Sequence, residues 1–191
     1  MRILAGRFKG HKLLSPPPRA ATRPITGRAR KSLFDTLSPR LDGAAVLDLY
    51  CGTGTMGLEA LSRGANACWF ADRDGRVLER LKRNIDALGA AERCTVWRGD
   101  VAARLARWLE GIDGPLDLAF VDPPYALARR WRWPAAERKI FAPLAESLAE
   151  DGLVVLRTPA GLTLPERIAE LSPVRTRKYG GMAVALLAKG A

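Results

Sequence analysis

Residues 46–57 are Val46-Leu47-Asp48-Leu49-Tyr50-Cys51-Gly52-Thr53-Gly54-Thr55-Met56-Gly57, an apolar run that opens into a glycine-rich turn. A helical pattern follows, with apolar residues at Met56, Leu58 and Leu61, and Gly64 is suited to end the helix. A strand, a glycine loop and a helix in this order predict the first βα unit of a doubly wound α/β domain.

Strand and helix patterns alternate beyond this unit, which predicts a mainly parallel sheet. The predicted core strands cover residues 46–50, 67–71, 94–97, 116–121 and 152–157. Helices are predicted over residues 26–37, with Thr26 as N-cap, and around an apolar series at Val77, Leu81, Ile85 and Leu88. Antiparallel hairpins are expected at both ends of the chain, a small one with arms at residues 2–4 and 12–14, and a C-terminal one at residues 174–179 and 182–187.

The glycine loop is compatible with two classes of cofactor. Gly52, Gly54 and Gly57 match the dinucleotide fingerprint, and Asp72 lies about 20 residues further on, where an acid would bind a ribose. Asp48, however, precedes Gly52 by four residues. A pyrophosphate needs no carboxylate there, whereas the free α-amino group of S-adenosylmethionine does. This favours S-adenosylmethionine over NAD, with Gly52 and Gly54 letting the backbone approach its methionine part.

A second motif, Asp122-Pro123-Pro124-Tyr125, follows the predicted fourth strand and faces the same cleft. The exocyclic amine of a nucleobase is a poor nucleophile because its lone pair is delocalised into the ring. An Asp carboxylate and a backbone carbonyl can accept its two hydrogens and direct the lone pair at a methyl donor. The prolines remove backbone donors, and Tyr125 offers a flat face for an extruded base. We therefore expect these four residues to be catalytic; the alternative is a proline-rich turn.

The ends of the other strands supply further expected contacts to the cofactor. Asp72 should accept both ribose hydroxyls after strand two. Asp100 follows strand three, the usual position in methyltransferases of this fold for a bond to the adenine amino group, with Val101 packed on the ring. For both Asp residues the alternative is a turn or N-cap role. Asp48 either orients the glycine loop or meets the cofactor's amino group.

Further segments of the chain are Arg2-Ile3-Leu4-Ala5-Gly6, Thr22-Arg23-Pro24, Leu33-Phe34-Asp35, Gly57-Leu58-Glu59-Ala60-Leu61-Ser62-Arg63-Gly64-Ala65 and Lys178-Tyr179-Gly180. With the two motifs above, they resemble the RsmD family of bacterial 16S rRNA guanine-N2 methyltransferases over essentially the whole length. The resemblance implies a Rossmann-like class I methyltransferase that uses S-adenosylmethionine, acts on 16S rRNA of the small ribosomal subunit and is a monomer. It also implies that Thr22, Arg23 and Thr26 lie near the cofactor's carboxylate end or the RNA entrance.

Two positions depart from that family. Gly27 stands where an acidic residue is usual, and Tyr50-Cys51 replaces the usual Phe-Ala before the first glycine. Neither change affects an expected chemical role, although an acid at position 27 would favour the start of a helix.

The positive charge is concentrated near the N-terminus. The net charge is +11, and residues 1–40 contain ten Lys or Arg residues and one Asp. We therefore divide the chain into a basic N-terminal extension, residues 1–40, and a methyltransferase catalytic domain, residues 41–191. The extension should contact RNA phosphates, which gives the expected RNA-binding residues Arg2, Arg7, Lys9, Lys12 and Arg23. The alternative is a solvated basic surface that only aids solubility.

A second basic segment follows the catalytic motif and reads Arg129-Arg130-Trp131-Arg132-Trp133. Basic residues alternating with aromatic ones suit a single-stranded or flipped-out nucleic acid, so Arg129 and Arg130 are candidate RNA contacts. In the alternative, both tryptophans cover the sheet and the arginines are solvated. The pattern does not decide between these.

Several classes of protein are disfavoured by composition. Three cysteines without a CxxC pair indicate reduced thiols, and a single histidine, His11, argues against a metal site. No secretory signal and no apolar run long enough to span a membrane are visible, so we expect a cytoplasmic protein.

Three functions remain in competition. The first is the rRNA guanine-N2 methyltransferase described above. The second is an adenine-N6 or cytosine-N4 methyltransferase on DNA or RNA, because the same tetrapeptide chemistry serves any exocyclic amine. Against it, the chain has no separate target-recognition domain of the size that sequence-specific DNA enzymes carry. The third is a non-catalytic RNA-binding or assembly protein.

Overall fold

The computed structural model describes residues 1–17 and 25–190. Its strands form one sheet in the order β3-β2-β1-β4-β5-β7-β6. The first five strands are parallel, and β7 pairs antiparallel with both β5 and β6. The strands are β1 Ala45–Leu49, β2 Ala67–Asp72, β3 Cys94–Arg98, β4 Leu116–Val121, β5 Leu148–Pro159, β6 Leu171–Tyr179 and β7 Met182–Lys189. The predicted α/β class, with an antiparallel hairpin at one edge, is confirmed.

Helices cover both faces of the sheet. They are α1 Gly27–Leu37, α2 Thr55–Ser62, α3 Gly75–Ala87, α4 Val101–Leu109, α5 Tyr125–Ala128, α6 Trp133–Ala136 and α7 Ala142–Ser147, with a π-helical turn at Glu137–Phe141. Thr26 is the N-cap of α1, as predicted, and its hydroxyl accepts a hydrogen bond from the Ala29 N–H at 3.3 Å. The first turn of α1 contains no acidic residue, so the hydroxyl is a local stabilising feature at this end.

Alternate side chains of each strand enter different cores, because successive residues of a strand point to opposite faces. Val46, Phe70 and Phe120 pack with α1, α2 and α3 on one face. Leu47 and Val121 pack with α4, α7 and the π-helical turn on the other. Burial on both faces explains why these strands are nearly continuous apolar runs, as a parallel sheet requires.

The N-terminal segment does not form the two strands that were predicted for it. A single antiparallel bridge joins Arg2 to Lys12. The backbone N–H groups of Leu4 and Ala5 bind the Glu59 carboxylate instead, at 2.8 and 3.1 Å, so they are unavailable for a β-ladder. The predicted hairpin is therefore reduced to one bridge, and the rest of the segment is fastened to α2.

A close approach at Gly6 completes this attachment. Gly6 has a φ of +81°, and a Cβ on it would lie 1.7 Å from the carbonyl oxygen of Ser62. That carbonyl accepts a 2.6 Å hydrogen bond from the Arg7 N–H, and the Ser62 hydroxyl accepts one from the Phe8 N–H at 2.9 Å. Only glycine lets the two backbones meet in this way.

Apolar side chains of the same segment enter the core beneath it. Ile3, Phe8 and Leu13 are buried in the cluster that also contains Val46 and Phe70. The division into an extension and a catalytic domain stays a prediction, and its parts share this core. Within residues 1–17 and 25–190, no helix is long and apolar enough to cross a membrane, and no group of three His, Cys, Asp or Glu residues is arranged to hold a metal ion.

Candidate active site

The glycine loop connects β1 to α2 at the carboxyl edge of the sheet. Gly54 is the N-cap of α2 and has a φ of +80°, and a Cβ there would lie 2.3 Å from the Leu81 side chain. The protein's own core thus requires glycine at position 54, and the approach of this backbone to the cofactor stays a prediction. At Gly52 a Cβ would meet nothing within 4 Å, so the space above that residue is open.

Asp48 ties β1 to α2 from beneath the loop. Its carboxylate accepts a 2.9 Å hydrogen bond from the Gly57 N–H, and the side chain is almost fully buried. Burial raises the pKa of this carboxyl to about 8, the neighbouring charges of Asp122 and Asp72 add to the rise, and the Gly57 N–H opposes it. Of the two predicted roles, orientation of the loop is thus seen directly. Asp48 also lines the cavity beside Asp122, where a second contact has room.

A cleft beside the loop brings together the predicted adenosine contacts. Its lining includes Tyr50, Asp72, Asp100, Val101 and Pro124. This agrees with the expectation that the ends of β2 and β3 face one ligand.

Both Asp residues of the cleft also hold the local backbone. Asp72 accepts hydrogen bonds from the N–H groups of Gly52 and Asp74, each at 2.9 Å. Asp100 is the N-cap of α4 and accepts from the Ala103 N–H at 3.1 Å. The alternative turn and cap roles are therefore real, and they coexist with exposure to the cleft. Each carboxylate oxygen of Asp72 thus already accepts one hydrogen bond and keeps a second lone pair for a ligand.

The Asp122-Pro123-Pro124-Tyr125 motif leaves β4 at the same edge. The Asp122 N–H donates to the Leu49 carbonyl at 3.3 Å, which continues the pairing of β1 and β4 into the motif. The Pro124 carbonyl accepts from Leu127 and Ala128 at 2.8 and 3.0 Å and so begins α5. The Pro124 carbonyl is therefore engaged by the helix that follows it. In the described ranges, the Pro123 carbonyl receives no such bond and remains the candidate acceptor.

Arg157, at the end of β5, is the main site residue that the sequence reasoning missed. Its Nε lies 2.5 Å from Oδ1 of Asp122, and its guanidinium carbon lies 5.6 Å from the ring centroid of Tyr125. Burial raises the pKa of the Asp122 carboxyl, while the Arg157 charge and hydrogen bond act against the rise. An arginine at the end of an otherwise apolar predicted strand was the available signal.

Two cavities meet at this edge. One contains Asp48, Cys51, Asp122 and Arg157, the other is the cleft with Asp72 and Asp100, and Tyr50 and Gly52 line both. The carboxylate that is expected to bind a nucleobase amine therefore lies next to the expected cofactor cleft. This arrangement suits a direct transfer between two ligands bound side by side.

The predicted RNA contacts lie on the surface in so far as they are described. Arg7, Lys9 and Lys12 are exposed, and the exposed Arg2 donates to the Gly10 carbonyl at 2.9 Å. Arg23, like Thr22, lies outside the described residues. Arg129 and Arg130 are exposed beyond α5.

The tryptophans of the second basic segment pack inward. Trp131 and Trp133 are half-buried against the core, with ring centroids 5.8 and 6.4 Å from that of Phe141. The alternative in which both cover the sheet is therefore supported, and Arg129 and Arg130 are left without an aromatic partner from this pair.

A further basic surface follows α3 and the end of β3. An open concave region is lined by Arg73, Arg76, Arg80, Arg83 and Arg98, with Asp74 and Glu79 as its acidic members. Arg80 donates to the Ser15 carbonyl at 2.7 Å, which joins this surface to the N-terminal segment. Sequence reasoning missed it because these arginines alternate with apolar core positions and do not form a run.

Comparison with known proteins agrees with this geometry. A family model described as conserved hypothetical protein 95 matches residues 1–188. The YlbH protein of Bacillus subtilis (strain 168) is 34% identical over 99% of both chains. Ribosomal RNA small subunit methyltransferase D of Escherichia coli (strain K12) is 34% identical, covering 80% of this chain and 77% of its own.

The solved structure of the yhhF protein from Escherichia coli superposes with a TM-score of 0.79 and 30% identity, covering 100% of this chain and 98% of that one. The family model, the Bacillus subtilis relative and the solved structure extend over both motifs and the N-terminal segment. The chain therefore belongs to the conserved hypothetical protein 95 family, which is the RsmD family, and it has the class I methyltransferase fold.

Proposed function

We propose that the protein transfers a methyl group from S-adenosylmethionine to the exocyclic N2 amine of a guanine in 16S rRNA of the small ribosomal subunit. The observation that carries this proposal is the position of the Asp122 carboxylate, which lies in a cavity that shares Tyr50 and Gly52 with the cleft of Asp72 and Asp100. The rRNA substrate is supported by the family and by the name of the Escherichia coli relative.

The residues of the two cavities fit the cofactor. The open space above Gly52 can accept its methionine part, and Asp72, Asp100 and Val101 line a cleft of mixed polar and apolar character for its adenosine part. Asp48 would meet the α-amino group. Bound there, S-adenosylmethionine would supply an electrophilic methyl group on a sulfonium.

The chain's own residues would then prepare the nucleophile. Asp122 and the Pro123 carbonyl accept the two hydrogens of the amine, which withdraws the nitrogen lone pair from conjugation and directs it at the methyl carbon. Tyr125 stacks on the extruded base. The bound cofactor would supply the methyl group and keep the C–S electron pair, while Asp122 and the Pro123 carbonyl would hold the amine until its extra proton passes to water.

The RNA would bind along the basic N-terminal segment and the neighbouring α3 surface. Arg7 and Arg93 both approach the ring of Phe8, at 5.5 and 5.8 Å, and Arg80 contacts the backbone of Ser15. These contacts join basic side chains from distant parts of the sequence into one surface. Such a surface suits the phosphate backbone of a structured RNA.

The decisive experiment is labelled-methyl transfer from S-adenosylmethionine into unmodified small ribosomal subunits, naked 16S rRNA and duplex DNA, followed by nucleoside analysis. N2-methylguanosine in either RNA substrate is the expected product, and the better substrate identifies the stage of subunit assembly. N6-methyladenine or N4-methylcytosine would replace the proposed substrate while retaining the chemistry. Failure to bind S-adenosylmethionine would favour a non-catalytic RNA-binding role.

A further inference from the structure

The pair formed by Asp122 and Arg157 follows from the register of the sheet. Val121 of β4 is opposite Leu156 of β5, so the next residues of the two parallel strands meet at the carboxyl edge. The Arg157 Nε binds Oδ1 of Asp122 at 2.5 Å, and the two side chains are 9% and 21% exposed. Because Arg157 engages Oδ1, the other carboxylate oxygen, Oδ2, is the candidate acceptor for a substrate amine.

Other contacts fix the guanidinium in place. It lies 5.6 Å from the Tyr125 ring centroid, and one of its nitrogens is 3.9 Å from Sδ of Met182. A small cavity around the pair is otherwise apolar, with Ile25, Leu33, Met56, Phe120, Val155 and Val184 in its lining. A buried cation in such surroundings requires its counterion, and the carboxylate requires the cation equally.

Among the described residues that line the cavity, Met1 carries the terminal ammonium, which donates to the Leu13 carbonyl, and apart from Arg157 the other titratable side chains beside Asp122 are acidic or neutral. Asp48 on β1 lies in the same cavity, together with Tyr50 and Cys51. A negative charge on Asp48 and one on Asp122 repel each other. Asp72, at the end of β2, adds negative charge to this group. Among the described residues lining the two cavities around Asp122, Arg157 is the side-chain cation.

We propose that Arg157 is a positioning residue that keeps Asp122 ionised, directs its free oxygen at the target amine and fixes the ring of Tyr125 for base stacking. The assignment rests on the proposed function, because it gives Asp122 the role of accepting hydrogens from an amine. Arg157 acts through Asp122 and Tyr125, and it takes no part in bond making.

The electrostatics give this role a measurable signature. Burial raises the pKa of Asp122, and Arg157 opposes that rise. Loss of the cation should therefore raise the pKa of Asp122 further. Since only the ionised carboxylate accepts both from Arg157 and from an amine, activity is lost as pH falls through this pKa. Without Arg157, that loss begins at a higher pH.

The test compares pH profiles of kcat for the wild type, Arg157→Gln, Arg157→Lys and the control Arg175→Gln, which changes an exposed residue of β6. Arg157→Gln should move the acidic limb upward by about 1–3 pH units, as expected for an opposite charge in contact. Arg157→Lys should return it part of the way, and Arg175→Gln should leave it in place. Affinity for S-adenosylmethionine should stay close to that of the wild type. A uniform loss of kcat with an unmoved limb would reduce Arg157 to a structural residue and overturn the proposal.

A second measurement is independent of the substrate. In protein labelled with ¹³C at aspartate carboxyls, Asp122→Asn assigns the Asp122 signal, and its titration is followed in the wild type and in both Arg157 variants. The midpoint should rise in Arg157→Gln and rise less in Arg157→Lys, with thermal melting used to verify folding. An unchanged midpoint overturns the proposal even if methyl transfer is robust. A wild type that methylates no RNA contradicts the proposed function instead, whatever the midpoint does.

Discussion

The carboxylate of Asp48, near the end of β1, accepts a 2.9 Å hydrogen bond from the backbone N–H of Gly57 in the first turn of α2, so the strand and the helix are joined across the glycine loop. Burial, together with the nearby charges of Asp122 and Asp72, raises the pKa of this carboxyl to about 8, and the bond to Gly57 opposes the rise. Burial therefore favours the protonated form of Asp48 over a wider pH range than for an exposed aspartate. Because this carboxyl both supports the glycine loop and lines the cavity beside Asp122, we expect a charged ligand bound there to change its protonation.

The first prediction concerns stability. The pKa of Asp48 rises from 3.8 in a model compound to about 8 in the fold, so between these values the folded chain binds a proton that the unfolded chain does not. The free energy of unfolding contributed by this site therefore falls as pH rises through that range. Asp48→Asn lacks this titration and retains an oxygen for Gly57. Its melting temperature relative to wild type should increase from pH 5 to pH 8; a constant difference would contradict the raised pKa.

The second prediction distinguishes the two roles of Asp48. If its carboxylate meets the cofactor's α-ammonium group, binding favours the ionised form and expels the proton. Calorimetric titration near pH 7 in buffers of different ionisation enthalpy should then show about one proton released per S-adenosylmethionine bound. Asp48→Asn should release correspondingly less. Equal proton release by the two proteins would show that Asp48 orients the glycine loop and does not contact the cofactor's amino group.

The third prediction isolates the chemistry of Asp122. Asp122→Ala removes the acceptor of the amine hydrogens, so methyl transfer should fall by roughly 10²–10³-fold or more. Affinity for S-adenosylmethionine, measured by equilibrium binding, should change little, because the expected cofactor contacts lie on other strands. Asp113→Ala, an exposed acid before β4, is the matched control and should retain full activity. Comparable turnover by Asp122→Ala would remove this residue from the mechanism.

The fourth prediction compares two glycines of the N-terminal segment. Gly6 and Gly10 both have a positive φ, +81° and +85°, but only at Gly6 would a Cβ strike backbone, the Ser62 carbonyl. Gly6→Ala should lower the free energy of unfolding by roughly 2–5 kcal/mol, from backbone strain and displacement of the segment together. Gly10→Ala should cost only about 1–2 kcal/mol, from φ alone. Denaturant unfolding measures both, and similar losses would argue against the attachment to α2.

The fifth prediction maps the RNA surface. Neutralising Arg2, Arg7, Lys9 and Lys12, or Arg76, Arg80, Arg83 and Arg98, should flatten the dependence of RNA affinity on salt. Each lost phosphate contact should reduce the slope by about 0.7–0.9. The control changes Arg104 and Arg107, which are exposed on α4 at the opposite face of the sheet. An unchanged slope for either basic set would exclude that set from the phosphate contacts.

Local pattern was sufficient for most of the sheet. Strand β4 was predicted with its observed bounds, because five of its six residues are apolar and it ends at a proline motif. The prediction for β5 was shorter than Leu148–Pro159, since the polar residues that open this strand carry no strand pattern. At the N-terminus, two arms at hairpin spacing predicted strands, but their N–H groups bind Glu59, more than fifty residues away in sequence.

The candidate site shows the same division between local and distant causes. Asp72, Asp100 and Asp122 could be found from their places at strand ends and Asp48 from its spacing to Gly52, and the structure brings all four to one edge. The partner of Asp122 could not be found in this way, since Arg157 meets it only through the register of β4 and β5. Sequence spacing likewise did not predict whether Trp131 and Trp133 point inward or outward. In the structure both pack inward against Phe141.

The hydrogen bonds that attach residues 4–8 to α2 also fix the distance between the basic N-terminal segment and the active-site cavity. Glu59 and Ser62 hold this segment on the helix whose other end begins at the glycine loop. A phosphate bound by Arg7 or Lys9 would therefore lie at a fixed distance from the cavity that contains Asp122. The number of nucleotides between the bound phosphate and the target base would therefore be fixed by the protein and not by the RNA.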